Sequence, residues 1–279
     1  MMIHASRRPV MPKTSAFALT LVFASALIPA SPIFAQTFDR ALLSTFCDAA
    51  NIKGSTCTRA RGYPNAGKRR CDVTLTDFHG GRFIAAGNPL LVANYDSGCE
   101  AHATDDGGAI VFEQVGSKYV FRGFQPGERV NDCVTTAKDA QQDLMVCLTG
   151  HMGQGILESG VALMNFAVDA GGGIRVSMEM LLHAEDSTGA FGANTVTCKE
   201  GPPKYFELSK LKAGPRPMTV SVDARFADAE TVRTACGKGF AKPAEAVTDP
   251  VPGDAWMPDD RIKRGTVVID LATRKVTTQ

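Results

Sequence analysis

Eight cysteines constrain the fold of this chain more than any other feature. All of them follow residue 46 of the 279-residue sequence. None stands in the C-x-x-C spacing that zinc sites and thiol oxidoreductases use, so their even number predicts the disulfide bonds of an exported protein. We expect four bridges among Cys47, Cys57, Cys71, Cys99, Cys133, Cys147, Cys198 and Cys236.

The best-defined pair is Cys133 with Cys147. These cysteines lie in two short β-like segments on either side of Ala140. In a hairpin that turns at Ala140 they stand opposite each other, where facing Cβ atoms come within bonding distance. Closing such a loop contributes about 3 kcal/mol in the chain-entropy treatment. Cys198 with Cys236 is the next expected bridge, and the four early cysteines can pair in chain order or in a crossed arrangement.

The N-terminal segment has the order of a secretory signal peptide. Three basic residues precede an apolar run at 16–28, and small residues end at Ala35. This order predicts a Sec-type signal peptide at 1–35 that is cleaved after Ala35, with Met11 as an alternative start. The apolar run is shorter than the roughly 20 residues that span a bilayer. We therefore expect no stable membrane span after cleavage and a periplasmic or secreted location.

The charge balance excludes one class of partner. Removing residues 1–35 takes away three basic residues and no acidic ones, so the formal charge changes from +1 to −2. A nucleic-acid-binding protein needs a basic face for the phosphates. We therefore expect no nucleic-acid partner, and the partner remains unknown, either a protein or a small ligand of the cell envelope.

One helix is expected near the start of the mature chain. Leu42, Leu43, Phe46 and Ala50 recur at helical spacing within Phe38–Asn51, with polar residues between them. The segment that follows, up to residue 70, is rich in Gly, Thr and Asn, which indicates an exposed loop.

The chain from Cys71 onward has the all-β pattern. Short runs of β-branched and aromatic residues alternate with glycine and polar turns, and the runs at 109–113 and 118–122 predict a hairpin. We expect a disulfide-stapled all-β domain over 36–240, mainly antiparallel, built as a sandwich or an open meander. Further strands are expected at 157–167, 174–182, 193–199, 204–209, 217–226, 265–270 and 274–278.

Two segments follow this domain. Residues 241–264 contain four prolines and scattered acidic residues, which is typical of an extended Pro-rich linker. Residues 265–279 then predict a C-terminal hairpin. It can dock onto the main sheet or exchange with a neighbouring molecule, and we expect it to dock.

Few residues suggest a catalytic or metal-binding role. The loop around Cys99 combines Glu100 and His102 with Asp96, Asp105 and Asp106, but its spacing does not match the calcium-binding loop. We therefore expect no metal site and no cofactor, and keep the three aspartates as the candidates to examine. The catalytic candidates are His102, Glu100 and His151, the last within the glycine-rich stretch 150–155.

The sequence contains neither a phosphate-binding loop nor the serine motif of a hydrolase. The stretch 150–155 lacks the G-K-[ST] step of a phosphate loop, and no serine stands in a G-x-S-x-G elbow. His79 and His183 are further bases that a distant triad partner could use. Glycine-rich bends at 80–81, 107–108, 150–155 and 171–173 are expected to be loops that supply a contact surface.

The placement of cysteine and glycine also suggests a relationship. The segments concerned are Cys99-Glu100-Ala101-His102, Gly107-Gly108, Asp132-Cys133, Val146-Cys147 and Gly153-Gln154-Gly155. In this placement, residues 71–165 resemble uncharacterised exported proteins of Gram-negative bacteria. The resemblance implies a β-rich periplasmic domain and carries no activity.

The sequence thus favours an exported binding or interaction module over an enzyme. The alternatives are a hydrolase-type enzyme with an unrecognised histidine and carboxylate site, and a structural envelope component. A histidine within hydrogen-bond reach of a serine or carboxylate would favour the enzyme.

Overall fold

The computed structural model describes residues 32–61, 63, 72–97, 107–127, 130, 132–153, 156–188, 204–237, 257 and 259–279. The side chains of residues 32–37, 151–153, 237 and 259 are outside this description. The described chain forms three antiparallel sheets and two α-helices, which confirms the mainly antiparallel, disulfide-stapled all-β fold.

Each sheet is a meander in which consecutive strands are neighbours. Sheet I contains β1 (Ile52–Lys53), β2 (Thr56–Cys57), β3 (Val73–Gly81), β4 (Leu90–Asp96), β5 (Gly107–Val115) and β6 (Lys118–Pro126). Sheet II contains β7 (Cys133–Ala137), β8 (Asp143–Gly153), β9 (Ile156–Val168) and β10 (Ile174–Asp186). Sheet III contains β11 (Phe206–Ala213), β12 (Thr219–Phe226), β13 (Lys263–Asp270) and β14 (Lys275–Thr278). The helices are α1 (Pro32–Leu43) and α2 (Ala229–Gly237), and 3₁₀ turns occupy Ala49–Asn51 and Asp259–Arg261.

The sheets are stacked in layers because alternate side chains of a strand point to opposite faces. On β4, Leu91 and Tyr95 belong to the core beneath α1, whereas Leu90 and Val92 belong to the core shared with sheet II. Both faces of sheet I are therefore covered. In the amino-acid sequence, such strands appear as continuous apolar runs rather than as alternating apolar and polar residues.

Sheet II is the central layer. On β8, Met145 and Cys147 belong to the core shared with sheet I, and Val146 belongs to the core shared with sheet III. On sheet III, Val222 of β12 and Ile269 of β13 fill that second core and are fully buried. A smaller core lies beneath α2, where Val232 and Cys236 pack with Tyr205 and Met257.

The first helix differs from the prediction at both ends. It spans Pro32–Leu43, so it begins before the predicted Phe38 and stops well before Asn51. The Ser44 and Thr45 hydroxyls donate to carbonyls of the last helical turn, at 2.7 Å each, which competes with continuation of the helix. Leu42, Leu43 and Phe46 are buried as expected, whereas Ala50 is exposed in the 3₁₀ turn.

Two disulfides are fully described. Cys133 faces Cys147 across the β7–β8 pair, with a Cα–Cα distance of 4.0 Å, as the hairpin symmetry predicted. Cys47 is bonded to Cys57 at a Cα–Cα distance of 6.0 Å, which resolves part of the choice among the early cysteines. Cys236 is also disulfide-bonded. Cys71, Cys99 and Cys198 lie outside the described residues.

Each predicted strand that lies within the described residues is present, although several boundaries differ. The β5–β6 hairpin turns at Gly116 and Ser117, and β10 extends four residues beyond the predicted end at residue 182. Strand β2 lies within the segment expected to be a loop, where it pairs with β3. Helix α2 was not predicted. The strand expected at 193–199 lies outside the described residues.

The C-terminal strands belong to the body of the molecule. β13 pairs with both β12 and β14, so the terminal hairpin lies in sheet III of the same chain. Of the expected linker, residues 257 and 259–264 are described. Met257 is buried beneath α2, and β13 already begins at Lys263.

The Gln125 side chain joins β6 of sheet I to β10 of sheet II. The Gln125 amide donates to the Ile174 carbonyl at 2.8 Å and accepts from the Val176 N–H at 3.2 Å. Both backbone groups belong to β10, which pairs with β9 along its other edge. Gln125 therefore satisfies backbone groups that a neighbouring strand would otherwise satisfy.

Candidate functional site

A cleft of about 440 Å³ opens where α2 covers the junction of sheets II and III. Its walls come from the end of β10, the start of β11, the strands β12 to β14 and the first turns of α2. The lining residues are His183, Ala184, Glu185, Lys204, Tyr205, Phe206, Phe226, Ala227, Ala229, Val232, Val267 and Thr278. This volume is in the range of small-molecule sites.

The floor of the cleft is apolar and aromatic. Phe206 and Phe226 face each other on β11 and β12, with ring centroids 6.2 Å apart in an edge-to-face arrangement. Val232 and Val267 line the same cleft and are buried, and Ala227 also lines it. Such a surface can hold a flat or aliphatic group by burial and ring contact.

One wall of the cleft is a strand seam, which we define as Glu185–Ser187 lying against Lys204 and Tyr205. The Ser187 N–H donates to the Lys204 carbonyl at 3.0 Å, and the Lys204 N–H donates to Ser187 Oγ at 2.9 Å. Asp186 and Tyr205 form an antiparallel bridge. The Lys204 ammonium also pairs with Glu185 at 2.6 Å. The strand seam joins the edge of sheet II to sheet III.

Beside the strand seam lies a carboxyl pair, Asp186 and Glu207, which are near enough for each charge to influence the other. Asp186 Oδ1 accepts from the Thr188 N–H at 2.9 Å and the Thr188 hydroxyl at 2.6 Å.

The surroundings of Glu207 raise its pKa on balance. Burial raises the pKa of Glu207 above its ordinary value, and nearby Asp186 raises it further. Arg225, directly opposite on β12, acts in the other direction, with its Nη1 3.2 Å from Glu207 Oε2. Tyr205 lies near Glu207 and lines the cleft, and burial raises the pKa of its hydroxyl well above the usual range.

The mouth of the cleft is fixed by the first turn of α2. Asp228 precedes this helix and accepts from the Thr231 N–H at 2.9 Å, so it is the N-cap. The same carboxylate pairs with Lys263 of β13 at 3.2 Å. These bonds lower the pKa of Asp228 to about 2, the bond from Thr231 contributing most. The cap orients Ala229 and Val232 toward the cleft.

The structure brings few of the sequence candidates together. Glu100, His102, Asp105 and Asp106 lie outside the described residues, so their prediction stays a prediction. Asp96 ends β4 and is exposed. His151 lies on β8 in register with Glu158 of β9, and its side chain is outside the description. Within the described part of the chain, no three His, Cys, Asp or Glu side chains are placed to hold a metal ion.

The other two histidines have different surroundings. The His79 ring is hydrogen-bonded to the backbone of Val130, and burial lowers the pKa of His79. His183 is exposed, lines the cleft and has no hydrogen-bond partner among the described residues. Neither histidine contacts a serine or carboxylate in the way that a catalytic triad requires.

Two of the four expected glycine loops are wrong, because Gly80 and Gly81 lie in β3 and Gly107 and Gly108 in β5. Residues 150–153 belong to β8, residues 154 and 155 lie outside the described residues, and 171–173 is a turn. Gly108 shows the physical reason, since a Cβ there would lie 2.1 Å from the Gln125 carbonyl of the neighbouring strand. Glycine at this position permits a close backbone approach.

The cleft residues were missed because they are scattered along the chain. Glu185, Phe206, Phe226 and Val267 each belong to an ordinary strand, and only strand pairing and packing bring them together. The one local signal was Asp228 three residues before Thr231, which predicts a helix start.

No protein-family profile matches the chain, and no curated protein sequence matches it. No helix of the described residues combines the length and the apolar character needed to cross a membrane.

Proposed function

We propose that the chain is an exported, disulfide-stapled binding protein whose cleft between sheets II and III holds a small ligand with an apolar or aromatic body. The observation that carries this proposal is the cleft itself, about 440 Å³ in volume and floored by the Phe206 and Phe226 rings. An apolar pocket with a few convergent polar groups is the usual form of a small-molecule site.

The polar groups occupy one side of this cleft. Lys204 and Glu185 pair at the wall, and the His183 ring and the Tyr205 hydroxyl line the same cleft. A ligand acceptor can bind His183 or Lys204, and a ligand donor can bind the Tyr205 oxygen.

The binding proposal is tested with N-phenyl-α-naphthylamine, an uncharged aromatic probe whose fluorescence rises in apolar sites. We expect saturable binding to the folded protein and its loss in Ala229→Trp, because Ala229 is exposed and lines the cleft. The matched control is Ala213→Trp, at an exposed alanine of β11 outside the cleft. Equal binding by both variants would contradict the proposed site.

Export is tested by intact-mass analysis of the protein recovered from the periplasm or medium. We expect loss of residues 1–35 and a mass that rises on alkylation only after reduction, as four disulfides require. Retention of residues 1–35, or alkylation of cysteines without reductant, would contradict the exported, fully oxidised form.

A further inference from the structure

We propose that the cleft between sheets II and III selects an amphipathic anion, a molecule with an apolar or aromatic body and one carboxylate or sulfonate head group. This inference rests on the proposed function, because it names the class of ligand for the same cleft. The head group is assigned to Lys204, which lines the wall of a cleft whose floor is aromatic.

The two charged groups of the cleft wall differ in how far they are covered. Lys204 Nζ and Glu185 Oε2 are 2.6 Å apart, and both residues line the cleft. The Glu185 side chain is 22% exposed, whereas the Lys204 side chain is 61% exposed. A ligand that enters from solvent therefore reaches the ammonium more readily than the carboxylate.

The hydrogen-bonding capacity of this pair favours the same kind of ligand. A lysine ammonium donates three hydrogens and accepts none. Within the described part of the chain, Glu185 is the one side chain bonded to Lys204 Nζ, so donor capacity remains for a ligand. An anionic head group can bind Lys204 while the pair stays intact. A cationic head group would have to share Glu185 with the ammonium, and like charges repel.

The other polar groups of the wall add donors. His183 and Thr278 line the cleft and are exposed, and Tyr205 contributes a hydroxyl. An imidazole N–H and both hydroxyls can donate to an anionic oxygen. Among the described lining residues, Glu185 is the one acid. The wall therefore places several donors around a single carboxylate that already has a partner.

Acidic groups just beyond the lining have partners of their own. Glu207 is paired with Arg225, and Asp228 at the mouth is paired with Lys263, at 3.2 Å each. The Asp186 carboxylate accepts the two hydrogen bonds from Thr188. These contacts leave Lys204 as the cation that the wall presents to a ligand.

The head group and the body of such a ligand have adjacent places in the cleft. Lys204 precedes Phe206 by two residues, which is about 7 Å along an extended chain. Side chains two residues apart on such a chain point to the same face. Phe226 lies across from Phe206, with the ring centroids 6.2 Å apart. A ring or chain with an anion at its edge can therefore contact the aromatic floor and the ammonium together.

The experiment compares two fluorescent probes with one ring system. N-phenyl-α-naphthylamine is uncharged, and anilinonaphthalene sulfonate carries a sulfonate on the same rings. The quantity measured is the affinity for the anionic probe divided by the affinity for the neutral probe, at neutral pH and low ionic strength, because salt screens exposed charges. Both probes should lose their binding in Ala229→Trp, since both bodies occupy the cleft.

Three variants test the role of Lys204. Lys204→Gln should lower the affinity ratio about fivefold, the upper range for an exposed charge pair. Glu185→Gln should raise the ratio, because it releases the ammonium from its present partner. The matched control is Lys212→Gln, since Lys212 is 58% exposed and paired with Asp223 at 3.2 Å, outside the cleft lining. Its ratio should equal that of wild type.

The outcomes separate this inference from the proposed function. If the neutral probe binds and is lost in Ala229→Trp, but Lys204→Gln has the wild-type ratio, the cleft stays a binding site and the selection of an anion is overturned. A ratio that rises in Lys204→Gln also overturns it, because the wall would then select a cation through Glu185. If neither probe binds, or if Ala229→Trp binds both as wild type does, the proposed function and this inference fail together.

Discussion

In two glutamate–arginine pairs on neighbouring antiparallel strands, the pKa values of the glutamates are shifted in opposite directions. Glu113 pairs with Arg122 on the β5–β6 hairpin of sheet I, and Glu207 pairs with Arg225 on β11 and β12 of sheet III. The pKa of Glu113 is lowered by hydrogen bonds from Asn88 and Arg122, whereas burial raises the pKa of Glu207. The same two residue types therefore give one acid that ionises more readily than usual and one that ionises less readily.

The exposed fraction of the side chain does not by itself order the two glutamates. The Glu113 side chain is 16% exposed and the Glu207 side chain 26%, so the more accessible glutamate has the raised pKa. What differs is the balance between burial and the surrounding groups. Asn88 donates to Glu113 at 2.7 Å and Arg122 Nε donates at 2.7 Å, and these donors outweigh burial. At Glu207 burial is the largest influence, and together with the nearby Asp186 it outweighs the arginine.

The largest expected effect is a loss of stability in Glu113→Gln. Neutralising Glu113 weakens two charge-assisted hydrogen bonds, and solvent around the pair limits the cost to about 1 kcal/mol at neutral pH. Because the folded-state pKa is lowered, the contribution is present above the ordinary value of 4.5 and is lost as the pH falls through the lowered one. Urea unfolding at neutral and acidic pH measures both. A variant as stable as wild type at neutral pH would break the comparison.

Glu207→Gln should have the opposite sign and a smaller size. A raised pKa means that folding disfavours the ionised side chain, and the amide cannot ionise, so the unfolding free energy at neutral pH should rise by about 0.5 kcal/mol. Below the ordinary value of 4.5 the variant and wild type should be equally stable. The same urea titrations provide the measurement. Destabilisation at neutral pH would show that the Arg225 ion pair outweighs burial, and would remove the contrast with Glu113.

Asp186→Asn sharpens the comparison by separating the two causes at Glu207. The substitution removes the neighbouring charge but leaves the burial, which is the larger cause. We expect the pKa of Glu207 to fall while remaining above 4.5, as measured by NMR titration of its carboxyl carbon. Asp223→Asn on β12, where Asp223 pairs with Lys212 at 3.2 Å, is the control and should leave that pKa unchanged. A fall to the ordinary value would show that charge rather than burial governs the site.

The smallest effect concerns a third kind of carboxylate, the helix cap Asp228. Asp228→Ala should reduce the hydrogen-exchange protection of the Thr231 amide and lower the melting temperature slightly. Asp228→Ser keeps a capping oxygen and should preserve most of this protection. The cap acts fully above the ordinary pKa of 3.8 and is lost as the pH falls through about 2. Equal protection in the Ala and Ser variants would show that the Lys263 pair, not the cap, holds this turn.

The sequence predicted those features that short-range chemistry determines. Cys133 and Cys147 could be paired because a turn at Ala140 sets their register, and the β5–β6 hairpin followed from alternation around Gly116. Helix α1 ends where the Ser44 and Thr45 hydroxyls donate hydrogen bonds to carbonyls of its last turn. The sequence pattern gives only a weak signal of this competition. Helix α2 had a visible cap at Asp228 but few apolar residues to mark its length.

The candidate site depends on long-range pairing and was therefore not predictable. The sequence pointed to His102, Glu100 and His151 because polar clusters stand out locally. The cleft instead unites Glu185, Tyr205 and Phe226, which no local pattern connects. Gly108 illustrates the same limit, since its need for a small residue arises from the neighbouring strand and not from a loop.

The chain-ordered arrangement of strands has a consequence for how the protein folds. Within every sheet each strand pairs with the strand next to it in sequence. The two fully described disulfides close segments with separations of only 10 and 14 residues. Pairing between neighbours in sequence costs less loop-closure entropy than pairing across a long crossover. A hairpin can thus form and be oxidised as soon as its own residues are available, before later sheets exist, and the cleft between sheets II and III is among the last features to assemble.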